Sequence, residues 1–281
     1  MRKDLHEENR LSWNAATRAH NSHKQDQAGF FRRGGSTLFP EERELLGTLT
    51  GSAVLHLQCN AGQDTLSLAR LCDDVTGVDI SDEAIGFAEQ LARESGVAAR
   101  FIRSDVYEFL EQNTRAYDVV FSSYGAVCWL SDLDAWARGV ARALRPGGRL
   151  VLMEFHPVAM MLDRQGRMSF PYFNHGEPVR ENDGVHDYVA DAGANLAPMG
   201  WQDGVKDFRN PHACHGFYWT SAELLSAMIG GGLVVETVRE YPYSNGCRLY
   251  EGMVQEEGNR WRMPKGAPEI PLMLGCVARR R

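Results

Sequence analysis

Carboxylates and a histidine stand at the ends of several apolar runs between residues 53 and 157, and such groups suit nucleoside binding and proton transfer. Asp79, Asp105 and Glu154 each stand at or beside the end of a run, and His156 lies two positions after Glu154. A carboxylate in the position of Asp79 can accept both hydroxyls of a ribose. A histidine is poised for proton transfer near neutral pH, and a carboxylate can orient it or act itself. These residue types predict a nucleoside site beside a pair of acid–base groups.

A glycine-bearing turn precedes Asp79. Gln58, Asn60 and Gly62 follow the apolar run 53–57, and Asp79 comes 17 positions after Gly62. Backbone amides in such a turn can approach an anionic group closely. Each piece alone is common, since a glycine turn is usually only a turn and acids often stand near helix starts. In this order and at these spacings, they favour a nucleoside cofactor.

Alternating strand and helix patterns must position these residues. Short apolar runs predict strands, and longer amphipathic stretches between them predict helices, which is typical of a parallel sheet flanked by helices. The predicted strands are 53–57, 75–80, 99–103, 118–123, 149–155, 233–238 and 271–278, and the predicted helices are 7–19, 64–71, 84–94, 132–144 and 222–228. We therefore expect an α/β fold with a doubly wound, mostly parallel, seven-stranded sheet and helices on both faces. Ligands of such sheets bind at the carboxyl ends of the strands.

The periodicity fails over 157–218, a stretch rich in aromatic residues and histidines. A structureless loop of that length is unusual inside a domain, so an inserted lid with some strand content is the better interpretation. We predict a helical cap over 1–35, a core made of 36–156 and 219–281, and a substrate lid over 157–218.

Four residues of the predicted lid are candidates for substrate contact. They are Tyr172, Trp201, His212 and His215. The aromatic content suggests an apolar or planar acceptor, although aromatic residues mostly build core. His212 and His215 flank Cys214, but this spacing has no matching second pair of metal ligands, so we predict no metal. A structural role for these histidines stays open beside substrate contact.

The composition of the chain limits the classes of partner that it is expected to bind. The 281 residues carry a formal charge of −7 and a pI of about 5.7, which disfavours nucleic acid. No window of 18 apolar residues predicts a membrane span, and the charged start MRKDLHEENR does not resemble a signal peptide. Six scattered cysteines suit a reducing compartment. We expect a cytoplasmic protein with a small-molecule partner.

Several segments resemble class I S-adenosylmethionine-dependent methyltransferases. They are the Leu-Arg-Pro-Gly-Gly-Arg-Leu-Val-Leu segment at 144–152, Val-Asp-Ile-Ser at 78–81, and Asp-Val at 105–106. The turn 55–66 is similar to a variant of the first methyltransferase motif, with His56 where an acid is usual and Gln58 and Asn60 where glycines are. Asparagine tolerates left-handed backbone geometry, so Asn60 is compatible with the turn. With Ser-Ser-Tyr-Gly at 122–125 and Glu-Phe-His-Pro at 154–157, the set resembles a bacterial small-molecule subgroup.

The resemblance implies a Rossmann-like fold, S-adenosylmethionine as cofactor and a role for each matching residue. The implied contacts are Asp79 with the ribose, Ile80 with the adenine face, Asp105 with the adenine amino group, Val106 through its backbone amide, Gln58, Asn60 and Gly62 with the methionine end, Ser123 and Tyr124 with the sulfonium, and Trp13 as a cover. An anchoring role for Trp13 against the core is the alternative.

Methyl transfer is an in-line displacement at an activated sulfonium, so alignment and exclusion of water supply most of the catalysis. Glu154, His156 and Tyr124 are the predicted catalytic residues, unless Glu154 and His156 merely bond the lid backbone. A non-catalytic cofactor-binding or regulatory protein is an alternative on the same fold. A nicotinamide oxidoreductase is disfavoured because 58–63 lacks the glycine pattern of dinucleotide sites.

Overall fold

A computed structural model describes residues 1–281. Its strands are β1 (Ala53–Leu57), β2 (Asp74–Asp79), β3 (Arg100–Arg103), β4 (Tyr117–Ser123), β5 (Leu144–Phe155), β6 (Pro178–Glu181), β7 (Cys214–Phe217), β8 (Leu233–Tyr241), β9 (Tyr243–Asn245), β10 (Val254–Glu256), β11 (Arg260–Arg262) and β12 (Met273–Arg280). Its α-helices are α1 (Lys3–Ser22), α2 (Gln27–Arg32), α3 (Pro40–Leu46), α4 (Gln63–Leu68), α5 (Asp82–Ser95), α6 (Val106–Gln112), α7 (Leu133–Ala143), α8 (Tyr188–Ala192) and α9 (Ser221–Gly230).

Seven strands form the central sheet in the order β3-β2-β1-β4-β5-β12-β8. Each pairing from β3 to β5 is parallel, and β12 lies antiparallel to both β5 and β8. The strand order reverses between β1 and β4, and a crevice opens there at the carboxyl ends. The prediction of a Rossmann-like, mostly parallel, seven-stranded sheet is confirmed.

Strand alternation divides the apolar side chains of the sheet between two faces. Leu55 and Leu57 of β1 pack in the same cluster as the fully buried Trp136 of α7. Val54 packs in a second cluster with Leu46 of α3. Helices therefore cover both faces of the sheet, which is the doubly wound arrangement.

Local signals explain where the helix beside the crevice begins and ends. The Ser81 hydroxyl accepts a hydrogen bond from the amide of Ala84 and caps α5, and Gly96 ends the helix in left-handed geometry at φ 70°. The Asp105 carboxylate caps α6, a helix that the sequence pattern did not predict. Because Asp105 both follows β3 and caps α6, its carboxylate oxygens lie at the crevice. The start of α6 therefore positions a candidate site residue.

Two smaller sheets lie outside the central one. Within 157–218, β6 and β7 form an antiparallel ribbon, with Glu181 opposite Cys214. The strands β9, β10 and β11 form a three-stranded sheet between the predicted strands 233–238 and 271–278, where the sequence pattern predicted no strand. These strands are three residues long, too short for an alternating pattern, and Gly258 and Asn259 turn the hairpin with positive φ. None of the helices combines the length and the apolar character needed to cross a membrane.

Candidate functional site

A cavity of about 630 Å³ lies at the carboxyl ends of β1, β2 and β4. Its wall includes residues from α1, the turn after β1, the segment after β3, the 157–218 insertion and the segment between β9 and β10. The cavity occupies the place that the doubly wound pattern predicts for a ligand. Nine of the predicted residues line it: Trp13, Gln58, Asn60, Asp79, Ile80, Asp105, Val106, Ser123 and Tyr124.

The turn after β1 adopts the strained geometry that its sequence suggested. Gln58 and Asn60 both have positive φ, at 54° and 49°. The Gln58 side-chain amide donates to the carbonyl of Ala126 at 2.7 Å, which joins the turn to the segment after β4. The amide of Asn60 donates to Asp79 Oδ2 at 2.8 Å. The turn and the end of β2 are thereby held together as one wall of the cavity.

Gly62 has a different role from the predicted cofactor contact, because it does not line the cavity. Its φ is 80°, and a Cβ at this position would lie 2.6 Å from the Cβ of Ala88 and 2.9 Å from the ring of Phe101. The glycine therefore allows the turn to pack closely against α5. Its contribution to a ligand site is indirect.

Asp79 presents its carboxylate to the cavity at the end of β2. Oδ1 accepts a hydrogen bond from the amide of Ser81 at 2.9 Å, and Oδ2 accepts the one from Asn60. Burial raises the pKa of this carboxyl, although these amide hydrogen bonds oppose the effect. Each oxygen keeps a second lone-pair direction, so the fixed carboxylate can still accept from a diol.

Asp105 is held by a histidine that sequence reasoning missed. His6 Nδ1 lies 2.7 Å from Asp105 Oδ2, and His6 Nε2 lies 2.8 Å from the hydroxyl of Ser131. The other carboxylate oxygen accepts from the amide of Tyr107 at 2.8 Å. Burial alone would raise the pKa of Asp105, but the hydrogen bond and charge of His6 outweigh it and the pKa is lowered. Asp105 is therefore an ionised acceptor at the edge of the cavity.

The first helix closes one side of the cavity, and Trp13 lies on this wall. Its ring lines the cavity and packs edge-on against Trp129, with centroids 5.4 Å apart. The neighbouring Asn14 accepts a hydrogen bond from the Ser81 hydroxyl at 2.7 Å, next to the start of α5. Asn14 therefore anchors the helix, and Trp13 covers the cavity.

Ser123 and Tyr124 line the cavity after β4. Tyr124 has a φ of 33°, and its hydroxyl accepts a hydrogen bond from the side-chain amide of Asn245 at 2.9 Å. Burial is the main reason that the pKa of this phenol lies well above its usual value. Tyr124 is thus a fixed, neutral wall group rather than a ready proton acceptor.

The structure does not support Glu154 as a base. Its carboxylate is buried and does not line the main cavity. Backbone amides surround it, those of Ala126 and Val127 at 2.8 Å, Phe155 at 2.7 Å, and Gly125. The carboxylate therefore joins the segment after β4 to the end of β5. Because its oxygens are occupied by these amides, its role is structural.

His156 also lies outside the cavity wall. Its Nε2 lies 2.9 Å from Glu240 Oε1, and its Nδ1 accepts from the amide of Val158 at 3.1 Å. Both ring nitrogens are engaged at the start of the insertion. The alternative that both residues bond the lid backbone describes only the His156 contact with Val158, because Glu154 bonds amides outside the lid.

The four predicted substrate residues lie outside the main cavity. Trp201 stacks on His23 with centroids 4.7 Å apart, His212 is exposed, and Tyr172 borders a separate small pocket. His215 Nε2 lies 2.9 Å from Glu8. Strand alternation in β7 explains why His215 points away from the cavity, because the residues on either side of it face the cavity. No three His, Cys, Asp or Glu side chains are arranged to hold a metal ion.

A lysine and an aspartate that the sequence did not single out face the cavity beside the glycine turn. Burial lowers the pKa of Lys24 to about 8, an effect opposed by Asp64. Burial raises the pKa of Asp64, and its carboxylate accepts from the hydroxyl of Thr37 at 2.5 Å. His56 occupies the usual acid position, and burial lowers its pKa to about 3, so it is neutral. The cavity thus offers one cation and one anion at this end.

Comparison with known proteins relates the centre of the chain to a family. Residues 54–148 match a sequence model described as "Methyltransferase domain". The chain is similar to a ubiquinone biosynthesis O-methyltransferase of Aeromonas salmonicida (strain A449), 32% identical over 106 residues, and to a demethylmenaquinone methyltransferase of Tropheryma whipplei (strain Twist), 32% identical over 116 residues. These matches cover 38% and 41% of this chain and 44% and 46% of the relatives, so each spans less than half of the relative.

Solved structures share the fold over most of the chain. A putative S-adenosylmethionine-dependent methyltransferase from Listeria monocytogenes has a TM-score of 0.57 at 15% identity, covering 86% of this chain and 95% of the other. An S-adenosylmethionine-dependent methyltransferase from Mesorhizobium loti has a TM-score of 0.53 at 20% identity, covering 86% and 96%. A DhpI–SAH complex has a TM-score of 0.54 at 18% identity, covering 98% and 97%.

The chain shares the fold of S-adenosylmethionine-dependent methyltransferases, and its centre matches a methyltransferase domain. Within that class, residues 54–148 of this chain, which span from β1 into β5, form a methyltransferase domain. The resemblance inferred from the sequence is confirmed for the fold and for the domain over 54–148. The activity of the whole chain, its cofactor, its acceptor and the roles of single residues are matters for proposal.

Proposed function

We propose that this chain transfers the methyl group of S-adenosylmethionine to a protic small molecule bound in the main cavity. The observation that carries the proposal is the arrangement of Asp79, Asp105 and the turn 58–60 around one cavity at the carboxyl edge of the sheet. Two fixed carboxylates suit the ribose diol and the adenine amino group, and the turn suits a small polar end group. S-adenosylmethionine supplies a methyl group already activated on a sulfonium.

Lys24 and Asp64 support the same cofactor at its methionine end. An amino-acid zwitterion needs one cation for its carboxylate and one anion for its ammonium group. Lys24 and Asp64 line the cavity beside Asn60, and Lys24 has no carboxylate within salt-bridge distance. We assign Lys24 to the methionine carboxylate and Asp64 to the ammonium group. Asp64 thus takes the role of the acid that is usual at position 56, where this chain has His56.

The far wall of the cavity suits an apolar or planar acceptor. The wall beyond Tyr124 is built mostly from the insertion and from the segment after β9, with apolar side chains from Ala159, Met160, Leu162, Leu196, Met199 and Leu249. The same wall also carries polar groups, among them Glu181, Asn195 and Arg248, so it suits an apolar or planar ligand that a few hydrogen bonds orient. The relatives named for ubiquinone and menaquinone synthesis favour an acceptor of this kind.

The chain's own contribution to the reaction is alignment and exclusion of water. The first helix, through Trp13, and the insertion, through Tyr188, cover the cavity from opposite sides and meet with ring centroids 6.4 Å apart. We assign the insertion 157–218 the role of a substrate lid. Holding acceptor and methyl donor in a near-attack arrangement supplies a large part of the barrier reduction.

Isothermal titration with S-adenosylmethionine and S-adenosylhomocysteine tests the cofactor assignment. We expect binding by the native chain and at least a tenfold loss for Asp79→Ala, since a charge-assisted hydrogen bond to a fixed carboxylate contributes about 1.5–3 kcal/mol. Glu83→Ala is the matched control, because this exposed acid makes a long surface pair with Arg18 at 3.3 Å. Absence of binding to both ligands would overturn the proposal. Binding without transfer to any acceptor would indicate a cofactor-binding or regulatory protein.

A further inference from the structure

A carboxylate and a phenol from the insertion meet on the wall of the main cavity. The hydroxyl of Tyr218 donates to Glu181 Oε1 at 3.2 Å, and both residues line the cavity. Neither belongs to the residues that the sequence patterns marked as catalytic. Their position and chemistry therefore need an explanation of their own.

The β6–β7 ribbon determines which side chains face inward. Glu181 pairs with Cys214 across the ribbon, and Cys214, Gly216 and Tyr218 lie on one face by strand alternation. A Cβ on Gly216 would lie 3.2 Å from the hydroxyl and ring of Tyr218. The glycine thus leaves space for the phenol to lie over the ribbon and reach Glu181.

The pair lies at the end of the cavity where transfer is expected. Tyr218 also borders the adjoining small pocket, together with Gly125, Cys128, Phe155 and Met160. Gly125 directly follows Tyr124, and Phe155 ends β5. The phenol therefore faces the carboxyl ends of β4 and β5, next to the residues assigned to the sulfonium.

Glu181 has few competing contacts: it and Asp64 each accept one hydrogen bond among the cavity carboxylates. Its side chain accepts only the Tyr218 hydrogen bond, and no cation lies within salt-bridge distance, since Arg180 turns to Glu8 at 3.4 Å. Asp79 and Asp105 each accept two hydrogen bonds. Burial raises the pKa of Glu181, while the Tyr218 hydrogen bond opposes the effect. The side chain is exposed and lines the cavity, so its carboxylate is open to a proton donor there.

We propose that Tyr218 and Glu181 form a proton relay that accepts the proton of the acceptor's O–H group during methyl transfer. This inference rests on the proposed function. The acceptor oxygen gives its proton to the Tyr218 oxygen, while Tyr218 passes its own proton to the Glu181 carboxylate. The freed oxygen pair forms the new bond to the methyl carbon, and the pair of the broken carbon–sulfur bond stays on sulfur as a neutral thioether. Glu181 then returns its proton to solvent.

The test compares two planar phenols with the full chain. Catechol keeps its proton at the assay pH of 8, whereas 4-nitrocatechol is already ionised and needs no base. We expect Glu181→Gln and Tyr218→Phe to lower single-turnover methylation of catechol at least 100-fold, within the usual range for general base catalysis. Transfer to 4-nitrocatechol should change less than about threefold, because an ionised phenol gains nothing from general base catalysis. Glu177→Gln, an exposed residue near β6, is the matched control.

Binding separates the possible outcomes. S-adenosylhomocysteine should bind both variants as tightly as the native chain, because the two side chains hydrogen-bond only to each other and not to an assigned cofactor residue. Equal losses with both phenols would show a structural role and overturn the relay, and so would full activity of both variants. A native chain that binds S-adenosylmethionine but methylates neither phenol would also overturn it. A native chain that fails to bind S-adenosylmethionine would instead overturn the proposed function.

Discussion

His6 Nδ1 lies 2.7 Å from Asp105 Oδ2, and this contact joins the first helix to the loop after β3. The imidazole also stacks on Tyr107, with centroids 5.4 Å apart and planes 7° from parallel. A residue near the start of the chain thereby orients a carboxylate at the carboxyl end of β3, the outermost strand of the sheet. The first helix is consequently part of the site.

Removing this imidazole should weaken both fold and site. For His6→Ala we expect a loss of about 1.5–3 kcal/mol in the free energy of unfolding, since a buried, charged acceptor loses its partner. Binding of S-adenosylhomocysteine should weaken as well, because Asp105 is no longer oriented. Urea unfolding and calorimetry measure the two effects. His175→Ala is the control, because His175 is 67% exposed and its pair with Glu223 contributes little. Equal effects of the two variants would contradict the prediction.

Lys24 should recognise only the amino-acid end of the cofactor. We expect Lys24→Gln to weaken S-adenosylhomocysteine about 10- to 100-fold, the range of one charge-assisted contact. Affinity of the native chain should fall as pH rises through about 8, because the pKa of Lys24 lies there and the ammonium group is lost above it.

Methylthioadenosine provides the control for Lys24, since it has the adenosine and sulfur but no carboxylate. It should bind the native chain and Lys24→Gln equally at pH 7 and pH 9. The variant should also lose the part of the S-adenosylhomocysteine pH dependence that Lys24 causes. Equal weakening of both ligands would show that Lys24 supports the fold of the cavity instead.

Glu154 should prove a structural residue. Its carboxylate accepts hydrogen bonds from several backbone amides, and the amide group of Glu154→Gln would place donors against donors. We expect a loss of about 3 kcal/mol in the free energy of unfolding, from one or two buried donors left unsatisfied. Glu236→Gln is the control, because that acid is exposed and pairs with Arg279. A stable Glu154→Gln variant that binds cofactor but transfers no methyl would return Glu154 to the catalytic residues.

The placement of the residues proposed to bind the cofactor was predictable because their signals are local. Asp79, Asp105 and the turn after β1 each follow directly on a strand pattern, and strand ends gather at one edge of a parallel sheet. Glu154 follows the same rule, yet its carboxylate is taken up by amides of a segment nearly thirty positions earlier in the chain. No spacing in the sequence records that contact.

The acceptor side depends on long-range geometry. Lys24 is near Asp64 only because the first helix crosses the sheet edge. The phase of β7 decides that Tyr218 faces inward while His215 faces outward to Glu8, and a four-residue strand inside an aperiodic stretch does not reveal its phase. The sequence therefore predicted the existence of an insertion but not which of its side chains reach the cavity.

His56 should make the stability of the chain depend on pH. Its Nδ1 lies 2.8 Å from the Thr65 hydroxyl, and burial lowers its pKa from 6.5 to about 3. Between these values the unfolded chain binds the extra proton, so the stabilisation is complete above pH 6.5 and is lost as pH falls towards 3. One such group contributes a slope of about 1.4 kcal/mol per pH unit inside that window. Lowering the pH from 7 to 5 should therefore cost the native chain about 2 kcal/mol that His56→Gln does not lose, measured by urea unfolding. His175→Gln, at an exposed site, should keep the native slope, and an unchanged slope in His56→Gln would refute the assignment.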